Sequence, residues 1–154
     1  EMHTGEYLST LVAGNIHAGF LPVILFMLAG VMAFATGTSW GTFGIMLPIA
    51  AAMAVKVEPS LIIPCMSAVM AGAVFGDHCS PISDTTILSS TGAHCNHIDH
   101  VTSQFPYALT VAASAATGYL ALGMTGSAPL GFVVTGIVMV VLILILKDKK
   151  KATA

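Results

Sequence analysis

Long apolar runs interrupted by short glycine- and hydroxyl-rich stretches organise this chain. Residues 1–20 are mildly polar, with His3, Glu6, Asn15 and His17, and predict an interfacial approach segment. Apolar runs from Leu21 to Ala35 and from Phe43 to Val55 then flank TGTSWGT at 36–42. Each run is shorter than the roughly 20 residues of a full helical crossing. Residues 21–55 are therefore expected to form a re-entrant helical hairpin with its tip at 36–42; two short complete spans are the alternative. Residues 60–93 read as about one crossing interrupted by GDHCSPISD at 76–84, where Gly76 and Pro81 bracket a stretch that cannot continue as an ordinary helix. Irregular backbone at membrane depth is tolerated only beside protein or a water-filled cavity, so this broken transmembrane helix marks a functional region. After a polar loop at 94–104 come two continuous transmembrane helices, 105–124 and 129–146. The first carries a small-residue run, Ala112 to Gly118, suited to close helix packing. The second is apolar all round except Thr135 and is expected to face lipid. The predicted fold class is an all-α integral membrane protein.

Composition strengthens that reading. The 154 residues are 56% hydrophobic and 8% charged, with mean hydropathy +0.90, whereas soluble domains carry roughly 25% charged residues. All five cationic side chains are lysines, and none lies between Lys56 and Lys147. No basic stripe is present, which sets nucleic acid aside as a partner. The lysine-rich tail at 147–154 is expected in the cytoplasm. Counting back through the crossings, the 94–104 loop is cytoplasmic, the 56–59 turn is external and the hairpin enters from outside. Cys65, Cys79 and Cys95 form no CxxC pair and read as small apolar residues in packed helices. The start, EMHTGEYLST, has neither a basic n-region nor an initiator Met, and predicts an internal start in a longer protein.

The chemistry concentrates at the interruptions. A carboxylate near the bilayer centre costs about 2.5–3.5 kcal/mol on insertion scales, so Asp77 and Asp84 need a reason to be there. The carbonyls expected to end the first half-helix near Phe75 and Gly76, the hydroxyls of Ser80, Ser83, Thr85 and Thr86, and the two acids together suit Na⁺, a hard cation. Two carboxylates sharing a dry site repel each other, which sets up competition between Na⁺ and H⁺ for the pair. Asp84 also has the bland reading of a helix N-cap in S-D-T-T, and Asp77 that of a turn residue. His78 is equally a proton relay and a simple partner for Asp77. In the tip, Thr36, Thr38, Ser39 and Thr42 are equally ion ligands and caps for two half-helices, while Trp40 is expected to plug a cavity. His94, Cys95, His97 and His100 lack the ordered spacing of a zinc site and read as a solvated loop, so no metal is expected beyond Na⁺. A hydrolase using the paired aspartates as acid and base has no further support in the sequence; an enzyme and a cofactor are not expected.

GDHCSPISDTTILSSTGA at 76–93, with TGTSWGTFGIMLPIA upstream and TSQFPYAL at 102–109, closely resembles the NhaC-type sodium/proton antiporter family. The resemblance is firmest over residues 20–125. It implies one half of an inverted-repeat transporter, each repeat holding a re-entrant hairpin and a broken helix, with this chain as the second repeat plus a C-terminal helix. It also implies that Asp77, Ser80, Ser83, Asp84 and Thr85 belong to the cation and proton site, faced by Thr36 to Ser39. The first repeat is missing from the chain. The expected partners are therefore membrane lipid and that repeat or a partner half, with a homodimer as a further possibility. The implied activity is sodium/proton antiport across the cell membrane by alternating access. Some relatives exchange organic acids such as malate and lactate with Na⁺ and H⁺, which is the alternative.

Overall fold

The computed structural model describes residues 17–152, with side chains through Lys147, and the regular elements among them are all helices. Most of the expected approach segment, 1–16, lies outside the described residues. A 3-10 turn, Ala18–Phe20, leads into α1, Leu21–Thr36; α2 is Ser39–Val57. A second 3-10 turn, Pro59–Leu61, opens α3, Ile62–Cys79, which is followed by the short α4, Asp84–Gly92. The long helices α5, His97–Thr125, and α6, Ala128–Ala152, complete the fold. Among the described residues, five segments are long and apolar enough to cross a membrane: Ala18–Thr36, Ser39–Val57, Pro59–Cys79, His97–Thr125 and Ala128–Lys147. The all-α membrane class read from hydropathy is thus the observed one.

Several boundaries differ from the hydropathy reading, each for a local reason. The expected hairpin arms are longer, because the hydroxylic residues at the tip are helical. Thr36 Oγ1 donates to Met32 O at 2.9 Å and Thr42 Oγ1 to Thr38 O at 2.9 Å, so both satisfy themselves within or next to their own helices. The two spans of 19 residues, at 1.5 Å per residue, are each about 28 Å long, close to the roughly 30 Å hydrocarbon core. Arm length therefore no longer argues for re-entry. The tip itself shrinks from 36–42 to Gly37 and Thr38. Gly37 takes a left-handed φ of 68° and donates its N–H to Ala33 O at 2.8 Å; extended Thr38 caps α2 by accepting from Gly41 N at 3.3 Å.

The broken helix is also corrected. α3 is a crossing by length alone and runs through Gly76 and Asp77 to Cys79. Pro81, which has no N–H to donate, follows its end, so the break is 80–83 rather than 76–84. The expected loop 94–104 contracts to a turn over 93–96, because Asn96 starts a helix there: its Oδ1 accepts from Ile98 N at 2.9 Å and Asp99 N at 3.3 Å. With 29 residues, α5 is about 43 Å long, so its first turns extend the apolar 105–124 crossing into polar sequence. α6 likewise continues past residue 146 into the lysine tail.

α1 and α3 pack in parallel at a constant offset. The carbonyl oxygens of Phe26 and Gly30 lie where a Cβ on Gly72 and Gly76 would stand, and Ser80 Oγ donates to Phe34 O at 2.8 Å with the same separation of 46 residues. Small residues permit this approach, the main route to helix association where lipid removes the hydrophobic drive. One face of α1 (Leu21, Leu25, Ala29, Ala33) joins Met46, Ala50 and Met53 of α2 and Cys65, Val69 and Ala73 of α3 in one core. Its other face carries Phe26, which stacks on Phe75 at 6.3 Å and meets Tyr119 of α5 at 5.5 Å. α5 runs antiparallel to both: Gln104 reaches His78, Tyr119 Oη donates to Ser67 O at 3.0 Å, and Gly123 backs onto Gly19. α6 packs on α5 where Gly118 meets Gly131 and Thr135, and its other side chains through Lys147 are largely exposed. The parallel pair places the 37–38 turn and the 80–83 break at the same end of the bundle.

Candidate functional site

Asp77 occupies a position on α3 that should be apolar. Cys65, Val69, Ala73 and Asp77 follow one helical stripe, and Asp77 is only 6% exposed. Its carboxylate is met from two other elements. Ser39 Oγ, on the first residue of α2, donates to Oδ2 at 2.9 Å. Ser83 Oγ, at the N-cap of α4, donates to Oδ1 at 2.6 Å. Ser83 Oγ also lies 2.8 Å from Thr85 Oγ1; with its hydrogen on the carboxylate, it accepts from Thr85. Both serines stand at helix N-termini, where the backbone N–H groups carry partial positive charge. The Gly37–Thr38 turn is wedged against the break: a Cβ on Gly37 would stand 2.9 Å from the Ile82 carbonyl oxygen.

Asp77, Ser39, Ser83 and Thr85 are thus one chain of polar contacts. Ser80 is buried beside them and anchors the break, donating to Phe34 O at 2.8 Å and accepting from Ile82 N at 3.4 Å. The remaining candidates stand apart. Thr36 is exposed and bonded to its own helix, and Thr38 serves as a cap. Asp84 is the first residue of α4, with Ser83 in the cap position; its exposed carboxylate accepts from Thr85 N at 2.8 Å. The ring of His78 is exposed, and this residue enters the break through its carbonyl. Trp40 plugs nothing in this chain: it is 82% exposed, edge-on to Phe43 at 5.8 Å. Ser39 and Thr42 occupy the inward face of the first turn of α2 and turn Trp40 outward.

Cys65 and Cys79 are buried in α3, whereas Cys95 is exposed in the turn before α5. Among the described residues no three His, Cys, Asp or Glu side chains are grouped to hold a metal. His97, read from sequence as part of a solvated loop, instead places Nε2 2.7 Å from Pro81 O and Nδ1 3.1 Å from Ser90 Oγ. Gln104 Nε2 donates to His78 O at 2.7 Å, and Thr86 Oγ1 reaches the same oxygen at 3.4 Å. Sequence reasoning missed His97 and Gln104 as site residues. Asn96, an N-cap residue with Asp99 three positions on, was the available signal. A helix starting there brings His97 and Gln104, two turns apart, onto one face.

Five membrane-length helices among the described residues, the third of which carries a buried, hydroxyl-lined carboxylate, define a multi-pass membrane protein. Residues 1–124 match the Na⁺/H⁺ antiporter family, and the chain belongs to it. It is 64% identical over 149 residues to a Haemophilus influenzae protein, covering 97% of this chain and 29% of that protein. It is 35% identical over 89 residues to the malate-2H⁺/Na⁺-lactate antiporter of Bacillus subtilis, covering 56% of this chain and 18% of that protein. An uncharacterized Na⁺/H⁺ antiporter of Haemophilus influenzae is 32% identical over 105 residues, 68% of this chain and 22% of that protein. The chain therefore spans less than a third of the length of these relatives. No solved structure matches it.

Proposed function

We propose that this chain supplies the cation-binding part of a Na⁺/H⁺ antiporter of the NhaC type, in which Na⁺ and H⁺ compete for the Asp77 carboxylate. The observation that carries the reading is a buried carboxylate in a stretch with no lysine or arginine between Lys56 and Lys147. A carboxylate withdrawn from water is costly unless its charge is met or removed. With no lysine or arginine in this stretch to meet it, a mobile cation or a proton is the partner this reading assigns. Ser39 and Ser83 donate to the carboxylate and keep lone pairs that can ligate Na⁺; Thr85 and Asp84 continue the polar path outward. Binding of either ion weakens the other reciprocally, and a site open to one side at a time then exchanges them. The remainder of the protein would supply the opposing repeat. In the reconstituted full-length protein, Na⁺ is expected to drive proton release, and the apparent KM for Na⁺ is expected to rise as pH falls. A KM that stays constant across pH would reject the competition.

The relative named as a malate-2H⁺/Na⁺-lactate antiporter favours organic-acid exchange as a second reading. An anionic substrate calls for a fixed cation or for free helix N-termini; no lysine or arginine lies between Lys56, in the last turn of α2, and Lys147, and the N-terminal residues of α2 and α4 are engaged with Asp77. Uptake of labelled malate against a Na⁺ gradient decides between the two.

Orientation is part of the proposal. The bundle places Gly19, the 57–61 connection and Gly126 at one end, and the break with Asn96 at the other. Lysines at 147–151 support a cytoplasmic position for the second end. Cysteines introduced at Lys56 and Ser127 are expected to react with an impermeant reagent added outside, and one at Asn96 is not. Outside labelling at Asn96 would invert the assignment.

A further inference from the structure

We propose that His97 and Gln104 of α5 are positioning residues for the cation site, holding the 80–83 break in place through its backbone carbonyls. The inference rests on the cation reading above and deepens it. The end of a helix leaves carbonyls without intrahelical partners, and here they are divided between two sources. Within the chain reversal, Asp77 O receives Ser80 N at 3.1 Å and Ser80 O receives Ser83 N at 3.3 Å. From α5, His78 O receives Gln104 Nε2 at 2.7 Å and Pro81 O receives His97 Nε2 at 2.7 Å. A carbonyl oxygen only accepts, so Nε2 of His97 carries the hydrogen. The other ring nitrogen faces Ser90 Oγ at 3.1 Å, which ties the same imidazole to α4. One rigid helix therefore grips α3's last turn, the break and the helix that follows it. Ser83, two residues beyond Pro81, is the donor to Asp77 Oδ1, so the position of the Pro81 carbonyl sets the geometry around the carboxylate. Neither α5 side chain touches the carboxylate in the hydrogen-bond network; each acts through backbone.

The test uses the full-length protein. His97→Leu and Gln104→Glu each remove one donor, the second with almost unchanged shape. Loss of one such bond corresponds to about a tenfold change in an equilibrium. The expected result is a Na⁺ KM raised about tenfold in each variant, with kcat per folded molecule within about twofold of wild type. The double variant is expected to fall short of the product, because both side chains restrain one loop. His97→Gln, which keeps a donor near the Nε2 position, is expected to restore KM to within about threefold. Backbone amide exchange at Ser80, Ile82 and Ser83, measured without Na⁺, is expected to be about tenfold faster in His97→Leu. Unchanged exchange would overturn the proposal, as would faster exchange with an unchanged KM, or His97→Gln as impaired as His97→Leu. A wild-type protein with no Na⁺-dependent proton flux would overturn the cation reading instead, and the exchange rates would still decide whether α5 holds the break.

Discussion

Asp77→Asn is expected to abolish Na⁺-coupled proton exchange while leaving a folded, membrane-inserted protein. The two halves of that expectation come from different atoms. Structurally, the carboxylate accepts from Ser39 Oγ and Ser83 Oγ. An Asn amide keeps one acceptor and presents a donor to the other hydroxyl, which must rotate; the loss is on the order of 1 kcal/mol, too small to unfold a multi-helix protein. Functionally, the amide fixes the site in a neutral state resembling the protonated one. It binds no proton to release and offers Na⁺ no charge, so coupling disappears rather than weakens. Na⁺-driven proton efflux in proteoliposomes, with protein quantity normalised, measures this. Asp84→Asn belongs beside it, because the carboxylate of Asp84 is exposed and, among the described residues, bonded only to the neighbouring Thr85 N–H. Asp77→Asn should be at least as severe. Retained exchange in Asp77→Asn, with exchange lost in Asp84→Asn, would move the central role to Asp84.

The comparison of Asp77 with Asp84 also shows what the sequence could and could not reveal. Both were legible as costly carboxylates between apolar runs, and so were the hydroxyls beside them. Which one lies inside depended on where α3 ends. Gly76 looks like a helix terminator in isolation, yet it lies within the helix, packed against Gly30. Only the later Pro81 follows a true end, so Asp77 stays on the buried stripe and Asp84 falls beyond it. The same limit explains the tip. Hydropathy counts Thr36, Ser39 and Thr42 as polar, whereas in place they are helical, with hydroxyls bonded to a local carbonyl or to Asp77. His97 and Gln104 were hidden in a segment that reads as a loop because polar residues dominate it, although its Asn96 cap is a local signal independent of hydropathy. Membrane class and the two interruptions follow from composition and from Gly37 and Pro81; the partners of each polar atom follow from tertiary contact.

The close contact of α1 with α3 should make Gly76→Ala strongly disruptive. An ideal Cβ there would overlap Gly30 O and stand 2.8 Å from Phe34 N. Both are backbone atoms, so no side-chain rotation relieves the overlap and the helices must separate. Gly72 presents the same problem one turn earlier, against Phe26 O. Overpacking of this kind costs about 1–3 kcal/mol, set against the roughly 0.5–1 kcal/mol that Ala normally gains over Gly in a helix. The damage is also aimed at the site. Spreading α1 from α3 lengthens the Ser80 Oγ to Phe34 O bond of 2.8 Å and draws the α1–α2 turn, with Ser39, away from Asp77. Gly76→Ala is therefore expected to lower the thermal midpoint of the detergent-solubilised full-length protein and to raise its Na⁺ KM together. Gly136→Ala in α6, where nothing lies within 4 Å of the added carbon, is expected to leave the KM unchanged and the midpoint unchanged or slightly raised. If Gly76→Ala matched Gly136→Ala in midpoint and in KM, the contact between α1 and α3 would not be what holds the Ser39 hydroxyl on the Asp77 carboxylate.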